Sequence, residues 1–255
     1  MCRWLTYLGE PIYLDELLYK PENSLIHQSL DAREGATTTN GDGFGIGWYG
    51  ERATPGLYRE TLPAWNDQNL QHLAHQLRSP LFFAHVRAST GTATSRDNCH
   101  PFRLGPWLFM HNGVIGGFPR VRRQLESLLP DQLFNCRIGT TDSEVFFLLL
   151  AANGLEDDVA LAFEKTVSQV ITIMRDSGVE ESFRMTAALT DGKAFYALRF
   201  SDRGIPPSLY WWSQKESLIV VSEPLDDEAE HWRAVEPSSL LVSVGHGDTA
   251  VRPFE

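Results

Sequence analysis

The chain has 255 residues, with 33 Asp and Glu against 22 Lys and Arg, and a formal net charge of -11. That acidity argues against a nucleic-acid surface, which needs a basic patch. It gives no support for an anionic-membrane surface, and on a small-molecule enzyme it serves mainly solubility. Hydrophobic residues at 42% and charged residues at 22% are a normal globular balance, enough to bury a sizeable core.

Nothing after Met1 resembles the apolar region of a signal peptide. The longest apolar run, 145–152, is far too short to span a bilayer. The cysteines are Cys2, Cys99 and Cys136, an odd number without metal-type spacing, which predicts a reduced, cytoplasmic protein.

Cys2 follows Met1 directly, and cysteine is small enough for the methionine to be removed. Processing would give one residue both a thiol and a free α-amine. With ordinary pKa values of about 8.5 and about 7.7–8.0, the amine can serve as base for its own sulfur. Alone, a cysteine at position 2 reads equally as a chance residue opening a first strand.

The patterning predicts strands over 3–8, 44–49, 81–86 and 107–110, each bounded by glycine, proline or polar residues. Helices follow over 142–152 and 155–176, the second with Val159, Ala162, Phe163, Val167, Val170, Ile171 and Met174 at helical spacing. Strands return over 183–189, 194–200, 208–212, 218–222 and 240–244, with Asp191-Gly192 as a hairpin signal between the first two. Strands, a helical middle and strands again predict an α+β protein with antiparallel pairing. No linker separates domains, so residues 2–255 are expected to form a single domain.

Five segments carry candidate chemistry, and each is weak alone. Gly41, Gly43, Gly45 and Gly47 alternate, which marks close backbone approach rather than a dinucleotide fingerprint. Arg87 ends an apolar strand, where it can hold a carboxylate bidentately or simply lie at a sheet edge. Asn112-Gly113 reads alone as a hairpin turn, and also as a side-chain amide and a backbone N–H for an oxyanion. Thr141-x-x-Glu144 is a capping box, which makes Asp142 a first-turn acid favoured by the helix dipole. His85, His100 and His111, with Cys99 beside one of them, lack tight ligand spacing. His72 and His75 have helical spacing but sit in a polar segment that reads as a solvated helix face. Trp211-Trp212 can form an interface patch, although paired aromatics in a strand are more often half core.

In this order the segments resemble the class II glutamine amidotransferases, the N-terminal-cysteine glutaminase domain. The opening Met-Cys-Arg-Trp-Leu, the Ser24–Ser29 segment and 41–49 are similar to the small stand-alone branch of bacterial amidotransferases related to γ-glutamyl amidohydrolases. The resemblance implies the N-terminal-nucleophile hydrolase fold, a four-layer αββα sandwich with two antiparallel sheets. It implies a hydrolase or transferase acting on a linear C–N amide bond through a γ-glutamyl thioester. Cys2 matches the nucleophile, Arg87 and Thr90 the holders of the glutamine α-carboxylate, Asn112 and Gly113 the oxyanion hole, and Asp142 the acceptor of the α-ammonium. Arg33 matches an arginine supporting the N-terminal region. His100 and His111 occupy family histidines of less defined role. Ala88 departs from the bulky aromatic that several amidotransferases carry there, which puts the shape of the glutamine lid in question.

The expected partner is glutamine or another γ-glutamyl small molecule, with no cofactor, metal, nucleic acid or membrane. The end of the sequence at Glu255 leaves no room for a fused synthase. The enzyme therefore either releases ammonia or an amine freely, or is a glutaminase subunit delivering ammonia to a separate synthase. If Met1 is retained, the alternative is a non-catalytic γ-glutamyl-binding module or an unprocessed precursor.

Overall fold

The computed structural model describes residues 2–35, 37–89, 91–245 and 248–254. The elements run β1 (Arg3–Tyr13), α1 (Asp15–Leu18), α2 (Leu25–Leu30), β2 (Phe44–Tyr49), β3 (Gly56–Glu60), α3 (Gln68–Gln76), β4 (Arg78–Val86), β5 (Phe102–Leu104) and β6 (Trp107–Val114). Then come α4 (Phe118–Glu126), α5 (Asp131–Phe134), α6 (Asp142–Ala152), α7 (Val159–Asp176), β7 (Arg184–Thr190), β8 (Ala194–Ser201), β9 (Tyr210–Gln214), β10 (Ser217–Val221), β11 (Arg233–Ala234), β12 (Ser239–Val244) and β13 (Asp248–Pro253).

The strands form two antiparallel sheets. The first has the order β11-β9-β10-β1-β4-β2-β3, the second β13-β12-β8-β7-β6-β5. Side chains alternate between faces along each strand, and the buried clusters show where each face goes. Leu5, Phe82, Ala84, Val86 and Val221 pack against Leu14, Leu18, Leu25, Leu70 and Ala74, so α1, α2 and α3 cover the outer face of the first sheet. Trp4, Phe83 and Val220 meet Leu108, Met110, Ala188 and Ala197 in the layer between the sheets. Phe109, Leu189 and Leu198 pack against α4, α6 and α7 on the far side. The result is a four-layer αββα sandwich. The α6 helix is apolar almost all round because three helices and the sheet enclose it.

Two expectations shift. The second long helix starts at Val159, not 155, because Gly154 has φ +92° and Asp158 caps the later start by accepting from the Leu161 N–H. Asn112-Gly113 is not a hairpin turn: it lies within β6, paired with Thr186 and Met185 of β7. Asp191-Gly192 does turn between β7 and β8, with Asp191 Oδ1 accepting from the Lys193 and Ala194 N–H groups.

The alternating glycines have a steric purpose. Phe44 and Ile46 point to the helix side of β2, so Gly45 and Gly47 face the second sheet. A Cβ on Gly45 would overlap the His100 carbonyl, and one on Gly47 would crowd Pro101 and Leu108. The bare face of β2 lets the 99–101 segment lie directly on the first sheet. No helix among the described residues is long and apolar enough to cross a membrane. Gly45→Ala is expected to destabilise the protein by about 2 kcal/mol through overpacking against backbone. Gly50→Ala, in open space, should change stability by less than about 0.5 kcal/mol in the same urea titration.

Candidate active site

Cys2 immediately precedes β1, which is paired on both sides, Leu5 lying opposite Ala84 of β4 and Val221 of β10. Alternation places Cys2 on the face of Trp4, toward the second sheet. The Cys2 thiol is half-buried and donates to the Ala88 carbonyl at 3.6 Å. Burial pushes its pKa up, opposed in part by the nearby Arg87 charge. The sulfur is therefore a protonated thiol at neutral pH and needs a base to act as a nucleophile.

Arg87 continues the β4 pairing beyond Val86, its N–H donating to the Gly43 carbonyl at 2.8 Å. Its guanidinium is buried and donates to the Asp42 carbonyl at 3.2 Å, Ser89 Oγ at 3.1 Å, Thr92 Oγ1 at 2.5 Å and the Ala93 carbonyl at 3.4 Å. The nearby Asp42 carboxylate turns instead to the Ser89 N–H at 2.7 Å. Among the described residues no carboxylate forms an ion pair with Arg87. A buried cation held only by neutral acceptors is expensive and suited to an incoming anion.

Asp142 is the first residue of α6. Its carboxylate accepts from the Ile115 N–H at 2.9 Å and the Ser143 N–H at 2.8 Å, and no described cation pairs with it. The helix N-terminus stabilises the free charge. Thr141 caps this helix, accepting from the Glu144 N–H at 3.2 Å, but the predicted box is only half formed. Glu144 turns away to accept from the Ile138 and Gly139 N–H groups at 2.9 and 2.8 Å, anchoring the preceding loop. Asn112 shares the inter-sheet face of β6 with Leu108 and Met110. It is buried, and neither its Nδ2 nor its Oδ1 has a hydrogen-bond partner among the described residues. Gly113 must be glycine because a Cβ there would strike the Arg184 carbonyl of β7.

The family model for class II glutamine amidotransferases matches residues 20–205. The chain belongs to the class II glutamine amidotransferases. It is 34% identical to the probable glutamine amidotransferase DUG3 of Saccharomyces cerevisiae, across 94% of this chain and 81% of that one. It is 27% identical to the γ-glutamyl-hercynylcysteine sulfoxide hydrolase of Mycolicibacterium smegmatis over the full length of both. A glutamine aminotransferase class-II domain protein from Silicibacter pomeroyi superimposes with a TM-score of 0.78 at 36% identity, each chain fully covered. The four layers are accordingly those of the N-terminal-nucleophile hydrolases.

In this amidotransferase the remaining candidates take different places. His85 and His100 stack with ring centroids 4.3 Å apart, and His100 meets Phe102 edge-on at 4.6 Å. His111 points to the other side of its sheet, its Nδ1 2.8 Å from Ser143 Oγ at the start of α6. Burial pushes His85 down to about 3 and holds His100 and His111 below the usual histidine range. All three are neutral at working pH. Among the described residues no group of His, Cys, Asp and Glu has the geometry of a metal site. Cys99 is buried, its thiol pushed up to about 11 by burial, and it donates to main-chain carbonyls. His72 and His75 lie on α3, where His75 Nδ1 is 3.1 Å from Asp15 Oδ2.

Thr90 lies outside the described residues. The Arg33 guanidinium does not reach the N-terminal strand but pairs with exposed Asp227, and only its main-chain N–H joins the support, donating to Glu223 Oε1 at 3.0 Å. The arginine that does reach Cys2 is Arg3, whose Nη1 donates to the Cys2 carbonyl at 2.9 Å. Sequence reasoning missed Arg3 and its partner Glu223, which lie 220 residues apart, at the start of β1 and just past the end of β10.

The depressed histidines link stability to pH. Between about pH 6.5 and 3 the unfolded chain binds protons that folded His85 refuses, so stability falls as pH is lowered through that window. At pH 5 the loss from His85 is about 2 kcal/mol relative to pH 8. His85→Phe should shrink the pH 8 to pH 5 change in unfolding free energy by that amount, measured in urea.

Proposed function

We propose that the protein is an N-terminal-cysteine amidohydrolase that cleaves the side-chain amide of glutamine or a larger γ-glutamyl amide. The observation that carries this reading is a buried, anion-less Arg87 whose charge acts on the Cys2 thiol, with a cation-less Asp142 at the N-terminus of α6. Together they are complementary to the carboxylate and ammonium of an α-amino acid. Fixing both charged ends turns the distant carboxamide into a positioned reactant over the sulfur.

Removal of Met1 frees the Cys2 amine, which takes the thiol proton as sulfur attacks the δ-carbon. The carbonyl π-electrons move onto oxygen, and the otherwise unpartnered Asn112 Nδ2 and the Gly113 N–H donate hydrogen bonds to that oxyanion. Collapse expels ammonia or an amine carrying the proton returned by the α-amine. A γ-glutamyl thioester remains. Water, deprotonated by the same amine, adds to the thioester, and collapse releases glutamate and restores the thiol. No metal or redox partner enters the balance.

The small Ala88 beside the sulfur supports a leaving group larger than ammonia. The full-length similarity to a γ-glutamyl-hercynylcysteine sulfoxide hydrolase supports the same substrate class.

Cys2→Ala should abolish release of p-nitroaniline from γ-glutamyl-p-nitroanilide. Asn112→Ala should lower kcat by about 10²–10³-fold, the usual effect of losing one oxyanion donor. Intact mass should show Met1 absent, and a single adduct at Cys2 after incubation with a diazo-ketone analogue of glutamine. Wild-type turnover in Cys2→Ala, or retention of Met1 in active enzyme, would overturn the reading.

A further inference from the structure

The strand ladder of β1 begins at Arg3, opposite Val86, so Cys2 lies one residue outside it. The hydrogen bonds that fix Cys2 among the described residues are its thiol to Ala88 and its carbonyl from Arg3 Nη1 at 2.9 Å. A chain-terminal residue outside its ladder ordinarily frays. The Arg3 side chain supplies the missing restraint from the helix-covered face of the first sheet.

Arg3 is itself held rigidly. Its Nε donates to Glu223 Oε2 at 2.9 Å, and both side chains are buried, at 1% and 2% exposure. Glu223 lies just past the end of β10, the other neighbour of β1. Its carboxylate also accepts from Asn23 Nδ2 at 3.1 Å, the Arg33 N–H at 3.0 Å and the Glu34 N–H at 2.9 Å. Three donors from two separate segments thus set the position of one carboxylate, which in turn sets Arg3. Gly35 completes the enclosure, because a Cβ there would press on the Arg3 guanidinium.

A buried ion pair is weak evidence of a stabilising role, since apolar residues of similar volume often serve stability as well or better. Here the arginine has a second job, because the same planar fork that meets Glu223 through Nε reaches the nucleophile's carbonyl through Nη1. We propose that Glu223 and Arg3 are positioning residues for catalysis: the Glu223 carboxylate orients the Arg3 guanidinium, and this fixes the Cys2 carbonyl and hence the direction of its amine and thiol. The proposal rests on the reading of Cys2 as the processed nucleophile. It assigns a catalytic purpose to the end of β10, far from Cys2 in sequence and on the face of the sheet opposite the thiol.

The test is the kinetics of Cys2 labelling by the diazo-ketone glutamine analogue, followed by intact mass. The maximal labelling rate reports how Cys2 is aimed; the half-saturating concentration reports how Arg87 and Asp142 hold the amino-acid end. Glu223→Gln and Arg3→Lys are expected to lower the maximal rate by about 10–10²-fold, the scale of a misplacement near 1 Å. The half-saturating concentration should stay within about threefold, because Arg87 and Asp142 are untouched. Lysine should fail to rescue, having one donor centre where the fork has two. The double variant Arg3→Leu/Glu223→Leu guards against simple unfolding: it should keep a wild-type melting temperature within a few degrees and still label slowly. Wild-type labelling rates in a folded double variant, or an effect confined to half-saturation, would overturn the positioning role. Failure of the wild-type protein to label at Cys2 would instead overturn the proposed function, and with it this inference.

Discussion

The placement of the first strand in the middle of a sheet is the constraint on which everything else depends. Chain ends are normally the loosest part of a protein, yet here β1 is paired with β4 on one side and β10 on the other. Trp4, fully buried, plugs the space between the sheets, and its Nε1 donates to Thr186 Oγ1 of the second sheet at 3.2 Å. A residue at the start of such a strand inherits the rigidity of two sheets without lying inside either. That is what a nucleophile needs, since a misplacement near 1 Å can cost about 10²-fold in rate.

The two sheets contribute different groups to the candidate site. The first supplies the thiol and, through the extension of β4, the buried guanidinium of Arg87. The second supplies Asn112 and Gly113 at the end of β6, and α6, packed on its outer face, supplies Asp142. An uncompensated cation and an unpartnered amide are costly to bury, and the surrounding core offsets that cost. The glycine face of β2 matters here as well. By letting the 99–101 segment rest on the first sheet, it seats the His85–His100 stack beside β4.

Much of this was legible in the residues. The strand 44–49 and the helix 142–152 formed where the apolar runs predicted, because each run is bounded by glycine, a cap or a polar turn. The glycine alternation announced a close backbone approach. Short elements such as α1, α5 and β5 were not legible: at three or four residues, tertiary contacts rather than local preference decide their shape. Asn112-Gly113 misled as a turn signal because the two residues lie inside β6, paired with Thr186 and Met185 of β7. The Arg3–Glu223 pair was invisible because ion pairs 220 residues apart leave no trace in local spacing.

The neutrality of the histidines completes the electrostatic logic. His85 shares the inter-sheet face of β4 with Arg87, and burial lowers its pKa to about 3, so it stays uncharged well above that pH. On the proposed reading, a charged His85 or His100 would be a second cation beside Arg87 and would compete for the substrate carboxylate. The buried Arg3 adds no such competition, because Glu223 neutralises it on the opposite face of the sheet. With these rings uncharged, Arg87 and Asp142 keep the discriminating charges of the proposed site. On the proposed reading, specificity for a zwitterionic γ-glutamyl group depends as much on charges the fold suppresses as on those it presents.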